Sequence, residues 1–103
     1  MGFKIIHSAP AALDFDDIIF YITHQLKNPT AASALRDEYH EKLAILRESP
    51  RLYGLVPNEE LARAGYHRFF FGNYVAFYHI NDEEKKVHIV RIFYQRRDYG
   101  NLL

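Results

Sequence analysis

An α+β fold is predicted, in which an N-terminal strand and an antiparallel helical hairpin precede three antiparallel strands that form one sheet, with the helices on one of its faces. Three observations predict it. Apolar residues recur at helical spacing over the first half of the chain, apolar and aromatic residues fill short extended runs over the second half, and Gly72-Asn73 separates two of those runs as a two-residue hairpin turn would. With 103 residues the chain has material for one core, so residues 1–103 are read as a single domain.

The opening strand is "FKIIH", ended by Ser8 and Pro10. A serine hydroxyl can accept from the free amides of a first helical turn, and proline in that turn sacrifices no bond, so a helix starts there. Ala11, Phe15, Ile18, Ile22 and Leu26 form its apolar stripe, while Asp14, Asp16 and Asp17 read as acidic charge near its positive end. "KNPTAA" restarts the pattern with Asn28 as cap and Pro29 as first residue, and Ala32, Leu35, Tyr39, Leu43 and Leu46 make the second stripe, which stops before Ser49 and Pro50. "PRLYGLVPNEELARAG" has no sustained period and reads as a loop with one helical turn at Glu59 to Arg63. The aromatic hairpin "YHRFFFGNYVAFYHI", the polar turn "NDEEKK" and the strand "VHIVRIFY" follow.

With Gly72 and Asn73 as the turn, pairing across the hairpin assigns its faces. His67, Phe69, Phe71, Tyr74, Ala76, Tyr78 and Ile80 belong under the helices, and Tyr66, Arg68, Phe70, Val75, Phe77 and His79 form an open face. In the last strand Val90, Ile92 and Tyr94 are assigned to the helix side, and Val87, Ile89, Arg91 and Phe93 to the open one. Arg68 and Arg91 then share a surface with His79, and Arg96, Arg97 and Tyr99 arrive at its edge. Guanidiniums beside aromatic rings suit a phosphate, a stacked base or a carboxylate-rich peptide. Phe70, Phe77 and Phe93 are expected to leave an apolar patch there, a usual mark of a partner site.

Composition narrows the chemistry. The sequence has no cysteine, which removes disulfides, thiolate metal sites and thiol nucleophiles, and the scattered histidines show no ligand spacing, so no metal and no cofactor are expected. The N-terminus is too short and polar for a signal peptide and no apolar run reaches membrane-spanning length, so a cytoplasmic chain with no membrane partner is expected. Lys plus Arg and Asp plus Glu number 13 each, so any pull on phosphate has to be local.

The opening strand into "SAPAALDFDDIIFYI", the "NPTAA" restart, "LRESP", "GNYVAFYHI" and above all "VHIVRIFYQRRDY" resemble the RelE/ParE superfamily of toxins from bacterial type II toxin–antitoxin, or plasmid stabilization, modules. The ParE-like pattern is the more similar one, with Arg68 before the aromatic hairpin and Arg91 in the final strand; Tyr94 stands where that pattern has histidine. Val75 occupies the position at which RNA-cleaving RelE-type members usually carry arginine, and "PNEELARAG" lacks the lysines those members place centrally. The resemblance implies a growth-inhibiting toxin neutralised by a cognate antitoxin, acting on DNA gyrase as ParE-like members do. The alternatives are a RelE-like, metal-independent endoribonuclease acting on ribosome-associated mRNA, and a non-toxic binding module on the same fold.

Cleavage through the RNA 2′-hydroxyl needs proton-transfer groups and cations on the phosphate. Tyr99, His79 and His67 are the candidates for the first and Arg68, Arg91, Arg96 and Arg97 for the second, whereas a binding toxin would use Arg68, Phe70, Phe77, Arg91, Phe93, Arg96 and Arg97 on its target or antitoxin. Asp98 is expected to orient a neighbouring guanidinium.

Overall fold

The computed structural model of the protein describes residues 2–96 and 103. Strand β1 (Lys4–His7) leads into α1 (Ala9–Phe20), a π-helical turn (Tyr21–Gln25), α2 (Pro29–Glu48), the short α3 (Glu59–Arg63), and strands β2 (His67–Phe71), β3 (Tyr74–Asn81) and β4 (Lys86–Tyr94). The expected caps Ser8 and Asn28 accept from the amides of Ala11 and Ala31, and Asn58 caps α3 in the same way by accepting from the Leu61 amide, each at 3.0 Å.

The four strands form one sheet in the order β1-β4-β3-β2. The three C-terminal strands are antiparallel as expected, with Phe71 opposite Tyr74 across the Gly72-Asn73 turn. β1 differs, because it lies parallel to β4, with Lys4 opposite Lys86 and His7 opposite Ile89, which makes the sheet mixed. Parallel neighbours need a long crossover, and here the whole intervening chain supplies it.

Helices α1 and α2 cover one face. All five residues of the second stripe, Ala32, Leu35, Tyr39, Leu43 and Leu46, are buried against Phe69, Phe71, Ala76 and Tyr78. Tyr39 is the centre of this core, with its ring centroid 4.6 Å from Phe15 and 4.7 Å from Phe71, and its hydroxyl 2.7 Å from His7 Nε2. The buried Tyr78 hydroxyl donates to the Pro50 carbonyl at 2.9 Å.

A β-bulge corrects the expected faces of β4. Tyr78 lies opposite Ile89 but Phe77 lies opposite Arg91, so Val90 is an extra residue that shifts the alternation by one. Val87 and Ile89 therefore join the helix-side core, while Arg91 and Phe93 remain on the other face. The bulge is held by α1: Ser8 Oγ donates to the Val90 carbonyl at 2.7 Å, and the Asp14 carboxylate accepts from the Ile92 amide at 3.0 Å. β1 ends at His7, and these two side chains continue along the edge of β4 that it leaves bare.

A second correction concerns the open face, which is partly covered. The segment read as a loop folds back over it: Leu55 bridges to His67, the Val56 amide donates to the Tyr66 carbonyl at 3.0 Å, and α3 follows. Val56, Leu61, Ala62, Tyr66 and Leu103 pack on Val75, Phe77 and Phe93, so the latter three are buried and only Phe70, at 42% exposure, remains of the expected aromatic patch.

Candidate functional site

Strand register arranges this outer face in rows. Phe70, Val75 and Phe93 form one row, Arg68, Phe77 and Arg91 the next, and His79 with His88 a third that Tyr66 extends. The arginines thus flank a buried phenylalanine, and each lies over a ring two residues along its own strand, Arg68 at 5.0 Å from Phe70 and Arg91 at 4.7 Å from Phe93. Burial of Phe77 fixes the spacing between the two cations, because a packed ring cannot yield without opening a void.

Arg91 is anchored. Its Nε donates to Asp14 Oδ2 at 2.8 Å and its Nη2 to Asp14 Oδ1 at 3.1 Å, a bidentate pair with side chains 29% and 17% exposed. The hydrogen bond to Asp14 is the main cause that raises the Arg91 pKa further above its ordinary value. Asp14, whose place early in α1 predicts helix-end charge, is instead the anchor of Arg91. A signal was present: Asp14 lies between Ala11 and Ile18 on the inward stripe of α1, where a carboxylate calls for a partner, whereas Asp16 and Asp17 fall off that stripe.

His79 is positioned by its Nδ1, which donates to the Gly65 carbonyl at 3.1 Å. That fixes the tautomer of the neutral ring and leaves the lone pair on Nε2. Gly65 can aim its carbonyl there because it ends α3 in the left-handed region, at φ 85°, with the Tyr66 amide bonded to the Leu61 carbonyl at 3.1 Å. Desolvation, then the neighbouring His67 and His88, lower the His79 pKa against the opposing effect of the Gly65 bond.

His67 faces the helix side, stacked on Tyr78 with its Nδ1 donating to the Tyr53 carbonyl at 3.1 Å, and so does not share a surface with His79. Arg96 is exposed just beyond β4, where Gln95 ties the strand end to Gly72 and Asn73. Arg97, Asp98 and Tyr99 lie outside the described residues. Among the described residues no group of three or more histidine or acidic side chains is placed to hold a metal ion, and no helix is long and apolar enough to cross a membrane.

The family described as "ParE toxin of type II toxin-antitoxin system, parDE" matches residues 5–99. No curated protein matches the chain in sequence. Among solved structures, the chain is similar to one from the chromosomal ParDE toxin–antitoxin system of P. aeruginosa, with a TM-score of 0.69 and 19% identity over 89% of this chain and 95% of that one. It is also similar to chains of the RelBE2 complex of Mycobacterium tuberculosis, at a TM-score of 0.62, 19% identity and coverage of 91% and 99%. The intact E. coli RelBE complex gives a TM-score of 0.58 at 17% identity, covering 92% and 99%. At such identities these likenesses speak for the fold, which supports both branches alike.

Proposed function

The chain belongs to the ParE toxin family of type II toxin–antitoxin systems, and from that premise we propose that it arrests growth by binding DNA gyrase, without bond-making chemistry of its own. The observation that supports binding over cleavage is the Asp14–Arg91 pair. A guanidinium that must neutralise a phosphate as charge develops needs its own charge uncompensated, and Arg91 already faces a carboxylate. The face offers instead what a protein interface uses: ring-stacked arginines and an exposed aromatic, Phe70.

The partner that neutralises it is a cognate antitoxin, as the toxin–antitoxin complexes among its structural relatives suggest. Its docking segment carries acidic residues for Arg68 and Arg96, and Phe70 is the apolar anchor. The site of action on this reading is the cytoplasm.

The test incubates the purified protein with gyrase and relaxed plasmid, and in parallel with translating ribosomes and mRNA. Loss of supercoiling with intact mRNA is the expected result; normal supercoiling with cleaved mRNA would move the protein to a second reading as a metal-independent endoribonuclease. His79 is the observation that favours that alternative, because its Nε2 lone pair and lowered pKa suit a general base. On that alternative His79→Gln abolishes cleavage, and cleavage rises with pH through the histidine range.

A further inference from the structure

The bidentate pair between α1 and the bulge of β4 has a consequence for what this face selects. Asp14 takes the Nε edge of the Arg91 guanidinium and accepts the Ile92 amide with the same Oδ2 atom. Two things follow from that geometry. The carboxylate is committed by three donors, and both partners are less than one-third exposed, so the pair is screened from solvent less than a surface ion pair is. Meanwhile the Nη1 end of the guanidinium is left outside the pair, and its Cζ lies over the Phe93 ring, 4.7 Å from the centroid. Arg91 therefore keeps the shape of an arginine contact while its charge is cancelled.

Polyanions respond to charge more than to shape. Single-stranded nucleic acid binds through phosphates whose neutralisation releases counterions, and each neutralised phosphate adds about 0.7 to the steepness of the salt dependence. A guanidinium compensated by a carboxylate adds little to this. A folded protein partner reads the same surface by stacking and directed hydrogen bonds, which the pair leaves in place. The neutral overall balance of the chain, 13 basic against 13 acidic residues, offers no long-range attraction to restore what the pair removes.

We propose that Asp14 is a specificity-determining residue that holds Arg91 in a charge-compensated state and so turns the outer face away from single-stranded nucleic acid and toward a protein target. This rests on the reading of that face as the target surface. It predicts a gain on removing one charge. Asp14→Asn keeps the shape and an oxygen acceptor for the Ile92 amide, and releases the positive charge of Arg91.

The experiment measures fluorescence anisotropy of a labelled oligouridine with the full chain over a series of salt concentrations. Asp14→Asn is expected to bind about ten-fold tighter than the parent at low salt, with a salt slope steeper by about 0.7. Adding Arg91→Gln is expected to remove that gain. Asp14→Ser, which also retains an oxygen acceptor, takes the place of the amide if thermal melts show that Asp14→Asn does not fold. Equal or weaker binding by the folded variant, no binding by either protein, or a gain that survives Arg91→Gln would overturn the proposal. The assay reads charge at Arg91 with gyrase absent, so normal supercoiling would overturn the proposed target while leaving this result standing.

Discussion

At the scale of single residues, the pH response of the fold is set in part by a histidine outside the outer face. His7 Nε2 sits 2.7 Å from the Tyr39 hydroxyl, in a small cavity of about 220 Å³ that Asp16 and His40 also line. Burial first, and then the proximity of His40, lower its pKa below the ordinary histidine value. A base whose folded pKa is depressed binds fewer protons folded than unfolded, so its contribution is fully present above the unfolded value near 6.5 and is lost as pH falls toward the folded one. His79 is lowered too and acts in the same direction. The melting temperature should therefore fall between about pH 7.5 and about pH 5.5, and His7→Gln should flatten part of that fall. The Arg51–Asp82 pair does not confuse the measurement, because Asp82, its pKa lowered chiefly by the hydrogen bond from Arg51, titrates below this window. An unchanged pH profile in His7→Gln would assign the effect elsewhere. Tyr39→Phe isolates the hydroxyl, and the lost bond should cost about 1 kcal/mol in a denaturant titration.

At the scale of elements, the junction between α1 and β4 carries more than a helix cap. Ser8 Oγ accepts from Ala11 and donates to Val90, so Ser8→Ala opens both the helix start and the bulge. Loss of a cap alone costs about 1 kcal/mol, and an orphaned carbonyl adds about 1 kcal/mol or more, which in a domain of this size lowers the melting temperature by about 10 °C. A melt within a degree or two of the parent would show that water replaces the hydroxyl at both places. The bulge itself was not legible in the sequence, because in "VHIVRIFY" both alternating sets are largely apolar and neither phase stands out. The stripe of α2 was legible because its polar and apolar positions separate cleanly, and the aromatic hairpin because Gly-Asn admits few turns. Segment 50–65 fell between these cases. Its helical turn at Glu59 to Arg63 was readable, but nothing local announced that it would return over Phe77 and Phe93. Gly65→Ala tests that return: its left-handed φ of 85° strains any other residue by about 1–2 kcal/mol. The Gly65 carbonyl would then lose its aim at His79, and the histidine's titration, followed by NMR, should shift.

At the scale of the whole molecule, the question is whether the cations serve the fold or the target. Arg91 serves both, since Asp14 binds it to α1 while its ring contact stays on the outer face. The arginines after β4 are different. Arg96 is exposed beyond a strand end that Gln95 already fastens to the hairpin turn, and exposed charges contribute only ~0–1 kcal/mol through surface pairs. Replacing Arg96 and Arg97 together by Gln should leave the melting temperature within a few degrees of the parent and abolish growth arrest in cells that express the chain without an antitoxin. Arg91→Gln should instead lower both, because an unpaired, largely buried Asp14 is left behind, at a cost of about 3 kcal/mol. The contrast between the two variants separates the roles, since toxicity lost with unfolding says nothing about the target. A double glutamine variant that folds normally and still arrests growth would move the target contact away from the end of β4, toward Arg68 and Phe70.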